Sequence, residues 1–296
     1  MDEGAFLAGV ELGGTKSIAV LAQGRKIVDL VRVPTTSPQV TLAVLAAQLA
    51  CWAESPGFLS LGIASFGPLQ LNAGRADFGT MLDTPKPGWS GAQVAALLTA
   101  GLDCPWTIDT DVNGAALAEY RWGGGRGCDS LCYLTIGTGV GGGLVIGGSP
   151  VHGAMHPEIG HLRLRRSMGD DFRGNCEFHG DCIEGLISGP ALARRFGSEP
   201  ALIPDDDERW RHVASDLAEL VGAILFTTSA QRVLIGGGIG VARPRLIDMA
   251  RQLVEARAGK YLPFLNSETV QTLLAPPELG EMSGPLGAIA LAGLDV

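Results

Sequence analysis

The sequence lacks any contiguous basic stretch: among its 296 residues, 22 Lys and Arg stand against 31 Asp and Glu, for a net charge of −9. A chain charged in this way repels the phosphates of nucleic acid and an anionic membrane surface, so neither is expected as a partner. No apolar run approaches the roughly 20 residues needed to cross a bilayer. The opening residues, MDEGAFLAGVELGG, are acidic where a secretory leader would be basic, and the expected compartment is the cytoplasm. In that reducing setting the six cysteines are not expected to pair as disulfides. Cys51, Cys104, Cys128 and Cys132 are scattered through apolar contexts and read as small core residues.

What is abundant is apolar residues, at 46%, and glycine, at 43 residues. That length and hydrophobic content suit two α/β lobes. Apolar runs at residues 5–10 and 17–22 flank Glu11-Leu12-Gly13-Gly14-Thr15, which predicts two antiparallel strands joined by a glycine turn. Runs at 131–136 and 143–146 flank Gly137-Thr138-Gly139-Val140-Gly141-Gly142 in the same way. Two such hairpins predict an internally duplicated architecture. Helical spacing covers 40–53, 91–99, 189–196, 208–229 and 245–258, with short buried strands at 60–65 and 232–235 and a last helix at 284–291.

A glycine turn lets backbone N–H groups approach a phosphate unobstructed, although each could equally be an ordinary hairpin turn. A P-loop is excluded at the first turn, because Thr15 separates Gly14 from Lys16 and a strand follows. The spacing of Gly137, Gly139 and Gly142 matches a dinucleotide fingerprint, but that motif must open a helix and Leu144-Val145-Ile146 reads as a strand. Gly236-Gly237-Gly238 does follow a strand and precede a helix, so it could receive a ribose or base.

Glu11, beside the first turn, could orient a Mg²⁺ on nucleotide phosphates or be a solvated strand-end carboxylate. Asp111 falls between a strand ending at Asp109 and a helix beginning at Val112. A residue there is commonly an N-cap; with three phosphate-suited loops in the chain, it becomes the candidate general base of a phosphoryl transfer. Four of the five histidines lie between residues 152 and 179, together with Glu158 and Glu184, whose carboxylates suit sugar hydroxyls. His152 and His212 read as surface or structural residues. His161, Cys176, His179 and Cys182 make a two-histidine, two-cysteine set with Cys-x-x-His-x-x-Cys spacing, the composition of a closed structural zinc site.

These stretches resemble the ROK sugar kinases, and within them the bacterial fructokinases: VELGGTKSIAVL, GIASFGPLQL, TPKPGW, DTDVNGAALAEYRWG, LTIGTGVGGGLV, HPEIGHLRLRR, GNCEFHGDCIEGLISGPA and VLIGGGI, in order along nearly the whole chain. The resemblance implies an actin-like, ribonuclease-H-like duplicated fold of two lobes, with ATP and a hexose meeting in the cleft. The first lobe would span 1–114, with the final helix region 282–296 packing back on it, and the second 115–281 with the zinc loop. It implies Gly13, Gly14, Thr15, Lys16, Gly137, Thr138, Gly139 and Gly141 at the ATP phosphates and Gly236, Gly237 and Gly238 near adenosine. It also implies Asp111 as base, Thr110, Glu158, His161 and Glu184 at the sugar, Mg²⁺ with the ATP and a structural Zn²⁺. A homodimer is allowed for.

Three departures from the commonest family pattern lean toward the fructokinase branch, and fructose phosphorylated on its 6-hydroxyl is the expected reaction: Glu11 where many members have Asp, Thr110 where glucose and acylhexosamine kinases usually have Asn, and the Cys176, His179, Cys182 form of the zinc segment. The alternatives are a glucose, mannose or N-acylhexosamine kinase, or a non-catalytic sugar-binding regulator. A repressor should carry an N-terminal helix-turn-helix, and the first glycine turn is reached by residue 13.

Overall fold

The computed structural model describes residues 4–258 and 261–293. The first apolar runs form β1 (Phe6–Leu12) and β2 (Lys16–Gln23), antiparallel with Leu12 opposite Ser17. A strand unseen in the sequence, β3 (Lys26–Pro34), continues the ribbon at the sheet edge; its residues are largely solvent-facing, so no clean apolar alternation marks it. Helix α1 (Pro38–Glu54) carries the chain to β4 (Leu61–Ser65), parallel to β1. Helix α2 (Val94–Thr99) then leads to β5 (Trp106–Thr110), parallel to β4, and the sheet order is β3-β2-β1-β4-β5. Helix α2 starts later than the apolar spacing suggests because Gly91 has a φ of +77°, outside the helical region. Cys51, expected in the core, is exposed on α1.

Helix α3 (Asp111–Trp122) follows, and then the pattern repeats. Strands β6 (Ser130–Ile136) and β7 (Val140–Ile146) form the second glycine hairpin; β8 (Ser149–Pro150) is a two-residue strand. After α4 (Ile183–Ile187), α5 (Gly189–Phe196) and α6 (Trp210–Thr228), β9 (Arg232–Gly236) pairs parallel to β6. Helices α7 (Gly237–Ala242), α8 (Pro244–Ala258) and α9 (Thr269–Leu273) precede β10 (Leu274–Ala275), parallel to β9, and the described chain closes with α10 (Ser283–Ala292). A hairpin whose first strand takes a parallel partner, itself flanked by another, thus occurs twice. This is the duplicated actin-like α/β pattern.

The chain divides into two compact units. The first takes in residues up to Arg126, Gly148–Pro157 and the chain from Glu281 on; the second comprises Gly127–Gly147 and Glu158–Gly280. Residue 114, the expected lobe boundary, lies inside α3, and residues 294–296 of the expected final helix region lie outside the described residues.

In the first unit one face of the sheet is covered by a core that includes Leu12, Leu45, Leu49, Ile63 and Trp89, all buried. On the other face α10 approaches β1 and β4 so closely that a Cβ at Gly62 would collide with the carbonyl of Ala288, and one at Gly9 would lie 2.8 Å from the Ala288 methyl. Gly287 meets Gly114 of α3 equally tightly, with the Gly114 carbonyl carbon 2.5 Å from where a Cβ would stand. Small residues on α10, β1, β4 and α3 therefore fix how the helices seat, and hence where α3 begins. Among the described residues no helix is long and apolar enough to cross a membrane.

Candidate active site

In the first unit the site is built at the carboxyl edge of the parallel strands, where open α/β sheets hold their ligands. Leu12, Ser65 and Thr110 stand in one row across β1, β4 and β5, so the residues that follow each, Gly13, Phe66 and Asp111, emerge at a common edge. The first glycine turn is tied down from below. The Thr35 hydroxyl donates to the Gly13 carbonyl (2.8 Å), the Thr35 amide to the Thr15 carbonyl (2.9 Å), and the Ser17 hydroxyl contacts Thr35 Oγ1 (2.7 Å). A Cβ at Gly13 would sit 2.7 Å from the Lys16 carbonyl, whereas Gly14 faces open space. The turn therefore needs Gly13 for its own geometry and leaves the approach to Gly14, Thr15 and Lys16 clear.

Asp111 is the first residue of α3, and the cap is Thr110. The Thr110 hydroxyl accepts from the Asn113 amide (3.2 Å), which replaces the N-cap role weighed for Asp111. Asp111 Oδ1 accepts from the Val112 amide (2.9 Å). Burial pushes its carboxyl up to about 6, opposed by that backbone bond and by its own amide. Glu11 is pushed further, to about 7, by burial first and by the charge of Asp111 second, with Lys16 and Arg32 opposing. Its Oε2 is buried without a hydrogen-bond partner among the described residues. An orphaned buried carboxylate oxygen beside a second carboxylate is suited to a divalent cation, whose charge would favour the ionised form of Glu11.

Without such a cation the sign of the pH effect is set by the raised value. Glu11 is most easily accommodated protonated, so its contribution to stability is complete below 4.5 and is lost as pH rises through about 7. Glu11→Gln should therefore raise the melting temperature of the ligand-free protein at pH 8, removing a charge that costs about 3 kcal/mol, while lowering activity. Thermal denaturation of both proteins at pH 5 and pH 8 checks this. An unchanged or lower melting temperature for the variant at pH 8 would count against an uncompensated Glu11.

Sequence reasoning passed over two further residues here. Asp109 is buried; its Oδ1 accepts from the Thr110 amide (2.7 Å) and Asn113 Nδ2 (2.8 Å), and its Oδ2 pairs with His152 Nε2 (3.0 Å). Hydrogen bonding to Asp109 raises the His152 imidazole above its ordinary value, although partial burial opposes it. His156 is buried and accepts from the Leu69 amide (3.0 Å); burial lowers its pKa. Only the clustering of histidines in the sequence hinted at these partners.

In the second unit, the turn between β6 and β7 is closed by the Gly137 amide donating to Gly139 (2.9 Å) and by the Gly189 amide donating to the Gly137 carbonyl (2.7 Å). Gly236 ends β9, level with Thr135 of β6, and Gly237, at φ +79°, opens α7 against the backbone of Ile136. The second and third glycine segments, including Thr138, Gly141 and Gly238, thus share one sheet edge. Glu184 also stands there: its Oε2 accepts from the Val140 amide (3.1 Å) and fills the space a side chain at Gly139 would need. Glu158 precedes a single turn of 3₁₀ helix, Ile159–His161, and is exposed.

The four expected metal ligands come together. His161 Nδ1 lies 3.8 Å from Cys176 Sγ and 3.6 Å from Cys182 Sγ; His179 Nδ1 lies 3.9 Å from Cys176 Sγ, and all four donor atoms fall within 4.8 Å of one another. A tetrahedron with bonds of about 2.0–2.3 Å has edges of roughly 3.3–3.8 Å. The set therefore fits a zinc-sized cation after slight contraction. Burial, with Cys176 beside it, pushes the Cys182 thiol up to about 11, so the pair would ionise only with a compensating positive charge. The knuckle depends on a tight turn in which Cys176 and Gly180 exchange backbone hydrogen bonds of 3.1 and 3.0 Å. The loop before it is pinned by a buried ion network: Arg195 bridges Asp170 (2.5 Å) and Asp216 (2.9 Å), and Arg166 also reaches Asp170 (2.5 Å).

Comparison with known proteins decides the family. A family model described as the ROK family matches residues 7–294. The chain belongs to the ROK family. It is 40% identical to the fructokinase of Zymomonas mobilis subsp. mobilis, over 96% of this chain and 95% of that one. It is 33% identical to the fructokinase of Pediococcus pentosaceus, over 97% of each. Among solved structures, the ROK hexokinase from Thermus thermophilus superposes with a TM-score of 0.78 at 26% identity, covering 98% of both chains. The ROK matches thus run through both sheets.

Proposed function

We propose that this ROK protein is an ATP-dependent hexose kinase whose best substrate is D-fructose, phosphorylated on its 6-hydroxyl. The observation that carries the reading is Asp111: a carboxylate held near a pKa of 6 at the edge of the parallel strands, on the same edge as the first glycine turn. A base with that pKa is largely ionised at neutral pH yet basic enough to take a hydroxyl proton in the transition state. Similarity to two fructokinases supports fructose as the hexose.

In this mechanism the turn of Gly13, Gly14, Thr15 and Lys16 and that of Gly137, Thr138, Gly139 and Gly141 receive the ATP phosphates, and Gly236, Gly237 and Gly238 lie by adenosine. As the sugar oxygen bonds to the terminal phosphorus, Asp111 accepts the hydroxyl proton and the bond to the departing ADP breaks. Mg²⁺, bound with the nucleotide and held by Glu11, would neutralise charge on the phosphates. Glu158, His161, Glu184 and the Thr110 hydroxyl take the sugar. His161 turns Nδ1 toward the thiols, leaving Nε2 for a hydroxyl. Zn²⁺ on His161, Cys176, His179 and Cys182 would hold in place the segment that carries Glu158 and Glu184.

A coupled assay of ADP release over fructose, mannose, glucose and N-acetylmannosamine tests the substrate. Fructose should give the highest kcat/KM. One lost ring hydrogen bond costs about 0.5–1.5 kcal/mol, so the aldohexoses should retain activity within roughly tenfold for each bond they lack. A clear preference for an aldohexose would overturn the fructose assignment and leave the kinase standing.

A further inference from the structure

The loop between β4 and α2 carries a cation that the mechanism above leaves unused. Lys86 is partly buried, and its Nζ donates to the carbonyl of Gly14, in the middle of the first glycine turn, at 2.5 Å. Its ammonium also lies 6.0 Å from the centroid of the Phe66 ring, and Phe66 itself continues β4 by donating its amide to the Leu12 carbonyl (2.7 Å). Lys86 has no carboxylate partner among the described residues.

The backbone holds this lysine in place. Pro85 and Pro87 flank it and restrict φ on both sides. Three residues on, Trp89 is fully buried; it donates from Nε1 to the Thr36 carbonyl (2.8 Å) and packs edge-on against Phe66 at 4.9 Å. The Trp89 amide returns to the Lys86 carbonyl (3.2 Å), closing a turn through Gly88, whose φ is +78°. Ordering a long, partly desolvated ammonium on a carbonyl alone is a poor use of a charge with three donors. An anion arriving at the turn would complete it.

We propose that Lys86 is a phosphate-binding residue that contacts the terminal phosphoryl group of the nucleotide at the first glycine turn. It donates to a non-bridging oxygen while that group passes from ADP to the sugar hydroxyl and the hydroxyl proton goes to Asp111. The inference rests on the kinase reading given above, and its chemistry is that of a point charge offsetting negative charge on a transferring phosphoryl group.

The test compares wild type with Lys86→Met, which keeps the stem and its packing, and with Lys86→Arg, which restores the charge. ATP and ADP affinities are measured by titration calorimetry alongside steady-state kinetics. Lys86→Met should weaken ATP at least about tenfold while ADP stays within about twofold, because only ATP carries the contacted group, and kcat should fall by about 10²-fold with the sugar KM little changed. Lys86→Arg should recover part of both losses. A lysine that merely pins the loop would weaken ATP and ADP equally, and one that reads the sugar would raise the sugar KM alone; either result overturns the proposal, as does unchanged ATP affinity. If the wild-type protein phosphorylates no hexose, the kinase reading fails on its own account and the ATP to ADP ratio still decides Lys86.

Discussion

Asp111→Asn should reduce kcat by at least about 10²-fold while leaving sugar and ATP binding close to wild type. The amide keeps the size of the carboxylate, and its oxygen can still accept from the Val112 amide, the contact that seats the side chain at the start of α3. It cannot take the hydroxyl proton. The same assignment fixes the wild-type pH dependence. A base raised to about 6 must be ionised to work, so kcat/KM should fall as pH drops through about 6 and level off above it. Calorimetric titration of sugar and nucleotide into the variant separates loss of chemistry from loss of binding. A variant with wild-type turnover at saturating substrates would remove Asp111 from the role of base.

The second large effect concerns the metal set. One zinc per chain is expected by elemental analysis of protein purified without chelator, and Cys176→Ser should bind far less. Structural zinc sites contribute on the order of 10 kcal/mol to the order of the peptide around them, and here that peptide leads straight from Cys182 into α4 and Glu184. The variant should therefore show proteolytic cleavage between residues 162 and 182 and a raised sugar KM, with a smaller change in ATP affinity. Protein that is metal-free as purified, or a variant with unaltered metal content and KM, would contradict the zinc assignment.

How much of this was legible in the sequence follows from the range of the signals. The two glycine hairpins and the helices that carry long apolar stripes are local patterns, and they appear within a few residues of where periodicity puts them. Asp111 stands out in the sequence because a strand ends and a helix begins around it, although the cap belongs to Thr110. Strand β3 was missed because an exposed edge strand carries no apolar alternation.

The contacts that position the site are of another kind. Asp109 with His152, Lys86 with Gly14, and Arg195 with Asp170 join residues far apart in the chain, and nothing in the spacing of either partner announces the other. Glu184 illustrates the same limit. In the sequence it reads as a carboxylate suited to a sugar hydroxyl, and nothing there announces that it is bonded to the amide of Val140 in the second glycine turn. The clustering of His161, Cys176, His179 and Cys182 was readable because three of the four lie within one short segment, and only His161 had to be brought to them.

The measurement that tests the account most directly is the structure of the product. Wild-type protein is supplied with ATP, Mg²⁺ and fructose, and the phosphorylated sugar is examined by ³¹P and ¹³C NMR. The account predicts fructose 6-phosphate, with ADP released in equal amount; phosphate on the 1-position, or ATP left unconsumed with fructose present, would contradict it.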